Sequence, residues 1–253
     1  MSKTYQVFIG IDVTLGTKPI TFVALDPDQQ AMAIGEGDVH DVLAFAAGQR
    51  AGALVAVNAS SRPNQGRMKR ADVRKALNPA PTRGKFTALR QAEYEIIQAG
   101  MEIAETPDSP EKSLPWVRRG FTLVERLQEL EYKEHPAEDA PRQWFETHAD
   151  AAFWSLLGVV PLPSGTLEGR IQRQLVLRDE ELKVPDAMDF FEEVTRYRLL
   201  KSILPTENIF PQNEINAWMA AHTAWLLANE PKCIRQFGEP EEGVIYLPCR
   251  EED

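Results

Sequence analysis

The stretch Val7-Phe8-Ile9-Gly10-Ile11-Asp12 decides how this chain folds. Apolar and small residues run straight into a carboxylate, with Thr14, Gly16 and Thr17 close behind. The run is too short for a helix, and its β-branched content predicts a strand buried on both faces. Such a strand has no room for a charge at its middle, so Asp12 is expected at its C-terminal edge. Edges of that kind are where α/β sheets present their chemistry.

Working outward, Pro19 to Asp26 reads as a second strand, Pro27-Asp28 as a turn and Gln30 to Gly35 as a third strand. Connections this short predict an antiparallel meander. His40 to Gln49 has helical spacing, and Ala53 to Val57 forms a fourth strand ending at Asn58-Ala59-Ser60. A strand, crossover helix and strand in that order are normally parallel and right-handed. Helices are predicted over Met68 to Leu77, over Thr87 to Gln98 (with Gly100 as C-cap) and over Trp116 to Tyr132, whose apolar residues recur at three- and four-residue steps. Gln143 to Thr147 is a short fifth strand and Asp150 to Leu157 a helix closed by Gly158. Further helices follow over Thr166 to Arg178, Asp186 to Leu204 and Asn213 to Asn229, the last with Asn213 as N-cap. Cys233 to Phe237 and Val244 to Leu247 flank a Gly- and Glu-rich turn and read as a hairpin. The fold class is therefore α/β, a mixed sheet of an antiparallel three-strand meander and parallel strands, helices on both faces and a C-terminal hairpin. One domain, 1–253, is expected, with a basic helical and loop insertion at about 61–100.

Charge is unevenly placed. The net charge is −10, which argues against a general polyanion binder. Yet the segment from Arg62 to Arg90 holds nine Lys/Arg and one acid, a net of +8 that leaves −18 for the rest. A basic tract on an acidic body, directly after Asn58, favours phosphate contact over a solvated face. Neither an apolar leader nor a spanning run of 18 apolar residues is present, so no membrane role and a cytoplasmic location are expected. Cys233 and Cys249 are expected to stay reduced there, and metal-site cysteine spacings are absent.

An ordered set of short motifs adds to this reading. It comprises Gly10-Ile11-Asp12, Ala56-Val57-Asn58-Ala59-Ser60, Lys69-Arg70-Ala71-Asp72-Val73-Arg74, and Phe145-Glu146-Thr147-His148-Ala149-Asp150. Gly165 to Arg170, Asn213-Glu214-Ile215-Asn216-Ala217 and Glu242 to Pro248 complete it. In that order the motifs resemble the predicted-nuclease family called domain of unknown function 429 (DUF429), which has a ribonuclease H-like fold. The resemblance implies a metal-assisted, nuclease-like site of four acids. These stand at the ends of the first and fourth strands, in the short strand before Ala149-Asp150, and at the opening of the late helix. In this chain those positions hold Asp12, Asn58, Glu146 and Asn216. Two keep the acid and two carry Asn in place of Asp.

Hydrolysis of the implied kind uses magnesium or manganese ions that align a water and stabilise the leaving oxygen. Asn keeps a carbonyl oxygen but not the charge. A unit charge pair at ~4 Å and an effective dielectric of 20 is worth ~4 kcal/mol, so losing two of four carboxylates weakens metal occupancy by orders of magnitude. Asp12 and Glu146 are the candidate metal ligands, Asn58 and Asn216 neutral ligands or substrate-orienting groups. Lys69, Arg70, Arg74 and Arg170 are the candidate phosphate contacts, to nucleic acid or a phosphorylated small molecule. The rival is a catalytically degenerate binding or regulatory module on the same scaffold. Plainer roles stand beside these: Asp12 and Asn58 as turn residues, and Asn216 in a capping-box position. Arg170 and Arg173 read as a surface salt-bridge ladder, and His148 and His222 as core or rim histidines. Glu146, just after Trp144-Phe145, needs either a metal or an arginine partner if it is buried.

Overall fold

The computed structural model of the chain describes residues 5–13 and 19–250. The Thr14, Gly16 and Thr17 cluster lies outside them. Eight strands form one mixed sheet: β1 (Val7–Asp12), β2 (Ile20–Leu25), β3 (Ala31–Gly37), β4 (Ala53–Asn58), β5 (Lys133–Glu134), β6 (Arg142–Thr147), β7 (Ile234–Glu239) and β8 (Gly243–Pro248). The order is β3-β2-β1-β4-β6-β8-β7, with β5 beside β6. β1, β2 and β3 pair antiparallel, β4, β6 and β8 continue in parallel from β1, and β7 closes the hairpin with β8. The meander, the parallel additions and the hairpin are as the sequence predicts. Every residue of β1, β2 and β4 is buried, whereas β3 and β7 are half exposed at the two edges.

Two apolar clusters cover the two faces of the sheet. Phe8, Leu54, Ala56 and Phe145 point to one face, where α5 (Ala149–Leu157), α6 (Leu167–Asp179) and α9 (Gln212–Asn229) contribute. Ile9, Ile11, Val55, Val57 and Trp144 point to the other, where α1 (Val39–Ala47) and α4 (Pro115–Glu129) pack. Alternate residues of one strand thus serve opposite cores, the period-2 geometry of a strand buried on both sides. α9 lies directly on β1. A methyl group at Gly10 would stand 2.1 Å from the Ala217 carbonyl oxygen and 2.2 Å from the Ala221 nitrogen, so only glycine allows this approach.

The basic tract holds α2 (Ala71–Ala76), preceded by a short 3₁₀ turn, and α3 (Gln91–Gln98), so the predicted helix over Thr87 to Gln98 starts four residues late. Two other elements depart from expectation. Asp186 to Leu204 is not one helix but two short ones, α7 (Asp189–Glu193) and α8 (Arg196–Leu200). Thr195 interrupts them by accepting a hydrogen bond from the Arg198 N–H and capping α8 anew. The N-cap of α9 is Pro211, not Asn213, which lies inside the first turn and sends its side chain to the sheet. Among the described residues no helix is long and apolar enough to cross a membrane.

Candidate functional site

A row of polar side chains crosses the sheet near the C-terminal end of β1. Strand register places Glu36, Thr21, Asp12, Asn58 and Thr147 side by side on β3, β2, β1, β4 and β6. Asp12 and Asn58 are 1% and 3% exposed. Asn58 Nδ2 donates to Asp12 Oδ1 at 2.6 Å, and Asn58 Oδ1 accepts from the Ala149 N–H at 2.8 Å, satisfying one free amide at the start of α5. The asparagine amide is thus engaged on both sides. On the meander side, Asn213 Nδ2 donates to Thr21 Oγ1 at 2.5 Å and to Glu36 Oε1 at 2.9 Å, which draws the opening of α9 onto the same row. Asn216 is one helical turn further along, 3% exposed, with no hydrogen-bond partner for its Oδ1. Glu214 is held above its ordinary value by burial first, against the opposing pull of the nearby Trp218, with the Glu36 charge adding a smaller push upward.

Glu146 stands elsewhere. Its register partner is Val57, not Asn58, so its side chain leaves the sheet on the face opposite Asp12. There it is 3% exposed and takes two hydrogen bonds from Arg90, from Nη1 at 3.0 Å and Nη2 at 2.5 Å, plus one from the Ser61 N–H at 2.9 Å. Arg90, 1% exposed, also donates from Nε to Glu93 Oε1 at 2.9 Å, and Glu93 in turn accepts from the Thr106 N–H and hydroxyl. Burial works to lower the Arg90 pKa, but the charges and bonds of Glu146 and Glu93 outweigh it, and the guanidinium is held above its ordinary value. Of the two partners the sequence allows for a buried Glu146, the arginine is present. The four expected positions therefore do not converge as a set: Asp12 and Asn58 touch, Asn216 lies in the helix above them, and Glu146 belongs to a separate ion cluster. Among the described residues no group of three His, Cys, Asp or Glu is placed to hold a metal ion.

Much of the basic tract is spent on structure. Arg62 pairs with Glu134, Arg67 with Glu241, Lys69 with Asp108 and Arg70 with Asp72. Together with Arg90, five of its nine cations have acidic partners. Arg74 is half-buried in α2, and Arg170 is half-buried on α6. Arg67 and Arg70 line a cleft of about 800 Å³ with Tyr94, Gln98 and Glu241, and none of Asp12, Asn58, Glu146 or Asn216 borders it. Arg173 forms no ladder with Glu168. It is 3% exposed, pairs with Asp150 at 3.0 Å and donates to the Leu162 and Gly169 carbonyls. His148 caps α5 by accepting from the Ala151 N–H, and burial holds its pKa below the ordinary value against the charges of Asp150 and Glu146. Residues that the sequence reading passes over include Glu36, Glu93 and Glu242. Glu242, 1% exposed, accepts from the Gln65, Arg67 and Gln91 N–H groups and ties the insertion to the hairpin. Besides the need of a buried Glu146 for a partner, the spacing of Arg90 and Glu93, three apart at a helix start, is a sequence signal that points to the ion cluster.

No protein-family model, no curated protein and no solved structure matches this chain.

Proposed function

We propose that this chain is a ribonuclease H-like protein of the DUF429 type whose metal centre has been neutralised, leaving a scaffold that binds and does not cleave. The observation that carries the reading is Asn58. Its amide turns a donor, Nδ2, toward Asp12 and its oxygen toward the start of α5, so a metal beside Asp12 meets an N–H and not an oxygen. Magnesium asks for several hard oxygens in octahedral array. On this face Asp12 contributes a carboxylate, while Glu146 is turned to the opposite face and neutralised by Arg90. A buried carboxylate held by a guanidinium loses much of its pull on a cation, and the register keeps Glu146 off the Asp12 face. The ligand class in this reading is a nucleic acid or a phosphorylated small molecule. Lys69 and Arg70, whose pairs with Asp108 and Asp72 are exposed and exchangeable for a phosphate, supply the positive charge with Arg74 and Arg170.

One observation favours a second reading, a residual metal-dependent phosphodiester hydrolase. The Asn216 Oδ1 is buried without a hydrogen-bond partner, and a cation beside Asp12 would satisfy it. Isothermal titration with Mg²⁺ and then Mn²⁺, on the wild-type chain and on Asp12→Ala, separates the two. Under the binding-module reading neither protein gives saturable heat. Saturable heat in the wild type that disappears in Asp12→Ala would overturn it in favour of the hydrolase.

A further inference from the structure

Among the described residues, six of the fourteen exposed large apolar side chains fall between residues 191 and 204: Phe191, Tyr197, Leu199, Leu200, Ile203 and Leu204. They stand on α7, on α8 and on the turn after them. α7 is anchored by Phe190 in a small core with Ile171, Ala187 and Ile209, while α8 buries no residue of its own. Exposure of the six runs from 46% to 74%. With about 200 Å² as the full surface of a large side chain, they offer roughly 700 Å² of apolar area. Gathered within fourteen consecutive residues, that area is of the order of the ~300–600 Å² of the largest apolar patch on a typical monomer. It is close to the ~800 Å² that each partner contributes to a stable protein–protein interface.

The charges around the patch say what covers it. α7 carries Asp189, Glu192 and Glu193, and α8 with the residue after it carries Arg196, Arg198 and Lys201. Only one of these pairs within the chain, Arg198 with Glu193 at 2.9 Å, and among the described residues Asp189, Glu192, Arg196 and Lys201 form no ion pair. An acidic helix followed directly by a basic one, both carrying exposed apolar side chains, is complementary to itself under a twofold rotation. The acidic α7 of one copy then meets the basic α8 of the other, twice over, as an isologous interface requires. We propose that this face is the interface of a homodimer, formed by α7 and α8 of two copies of this chain across a twofold axis. The inference is independent of the state of the Asp12 row.

Sedimentation equilibrium of the full chain across a wide concentration range tests it. The wild type is expected to pass from one chain mass to twice that mass. Leu200→Asp, at an exposed position and with its fold checked by circular dichroism, should weaken association at least about tenfold, the loss of an apolar contact in the interface. Reversing α7 (Asp189→Lys with Glu192→Lys) should also weaken it, as should reversing α8 (Arg196→Glu with Lys201→Glu). All four changes in one chain should restore the dimer, because the twofold pairs are re-formed. A wild type that stays at one chain mass up to millimolar concentration overturns the proposal. So does a dimer indifferent to Leu200→Asp, or a monomer whose patch binds anionic phospholipid vesicles instead.

Discussion

At the scale of single residues, the contact between Asp12 and Asn58 determines what the sheet edge can do. The amide is the only common side chain of carboxylate shape that both donates to Asp12 and accepts from Ala149. Asn58→Asp keeps the acceptor for Ala149 but turns a 2.6 Å hydrogen bond into two carboxylates in contact. Like charges that close oppose each other by on the order of 4 kcal/mol at an effective dielectric of 20, and the pair relieves this by retaining one proton. The shared proton raises the folded-state pKa above its unfolded value. Stability is then present at low pH and lost as pH rises through the raised pKa. The melting temperature of Asn58→Asp should therefore fall relative to wild type between acidic and neutral pH, and millimolar Mg²⁺ should recover part of the loss. A pH-independent difference would show that the two side chains do not share a buried site. It is the resemblance to DUF429 that groups Glu146 with Asp12, and the residues support that grouping only in part. The need of Glu146 for metal or arginine is legible from residue type, but which face it takes depends on a one-residue register that spacing along the chain does not record.

At the scale of elements, legibility follows local signal. β1, β2 and β4 are readable because continuous apolar runs have one use in a sheet covered on both sides. The split of α7 from α8 is not, because the apolar spacing runs through Val194 and Thr195 and only the threonine cap breaks it. The start of α9 is misplaced for a related reason. Asn213 has the residue type of a cap but is recruited by Thr21 and Glu36, a tertiary contact with no local trace. The packing of α9 on β1 yields a sharp test. Gly10→Ala puts a methyl 2.1 Å from a backbone oxygen and 2.8 Å from the Ala220 carbonyl carbon, where no rotamer change relieves it. The helix must lift from the strand, and a loss of about 3 kcal/mol or more is expected in urea unfolding, the upper end for an overpacked core. A Gly10→Ala chain as stable as wild type would show that α9 does not rest on β1 at backbone contact.

At the scale of the whole molecule, the fold is graded from a rigid centre to a lightly held periphery. α9 buries thirteen of its eighteen residues and touches β1, β2, β4, α5 and α6, so it opens only when the core opens. α7 buries Phe190 alone, in a four-residue core beside the main sheet, and α8 buries none. Amide exchange follows the free energy of the smallest opening that frees the N–H, and segments with few buried contacts open first. In hydrogen exchange followed by mass spectrometry, peptides from α9, β1 and β4 should exchange last, near the rate set by global unfolding. Peptides from 189–204 should exchange first at low protein concentration. Raising the concentration should slow 189–204 selectively, because association covers that face while leaving α9 unchanged. The gradient also separates the two ends of the molecule's work. The Asp12 row lies under the most deeply buried helix, whereas the segment proposed to meet a partner is among the least buried. Uniform protection across α8 and α9 would remove that distinction and with it the argument that the periphery is built for contact.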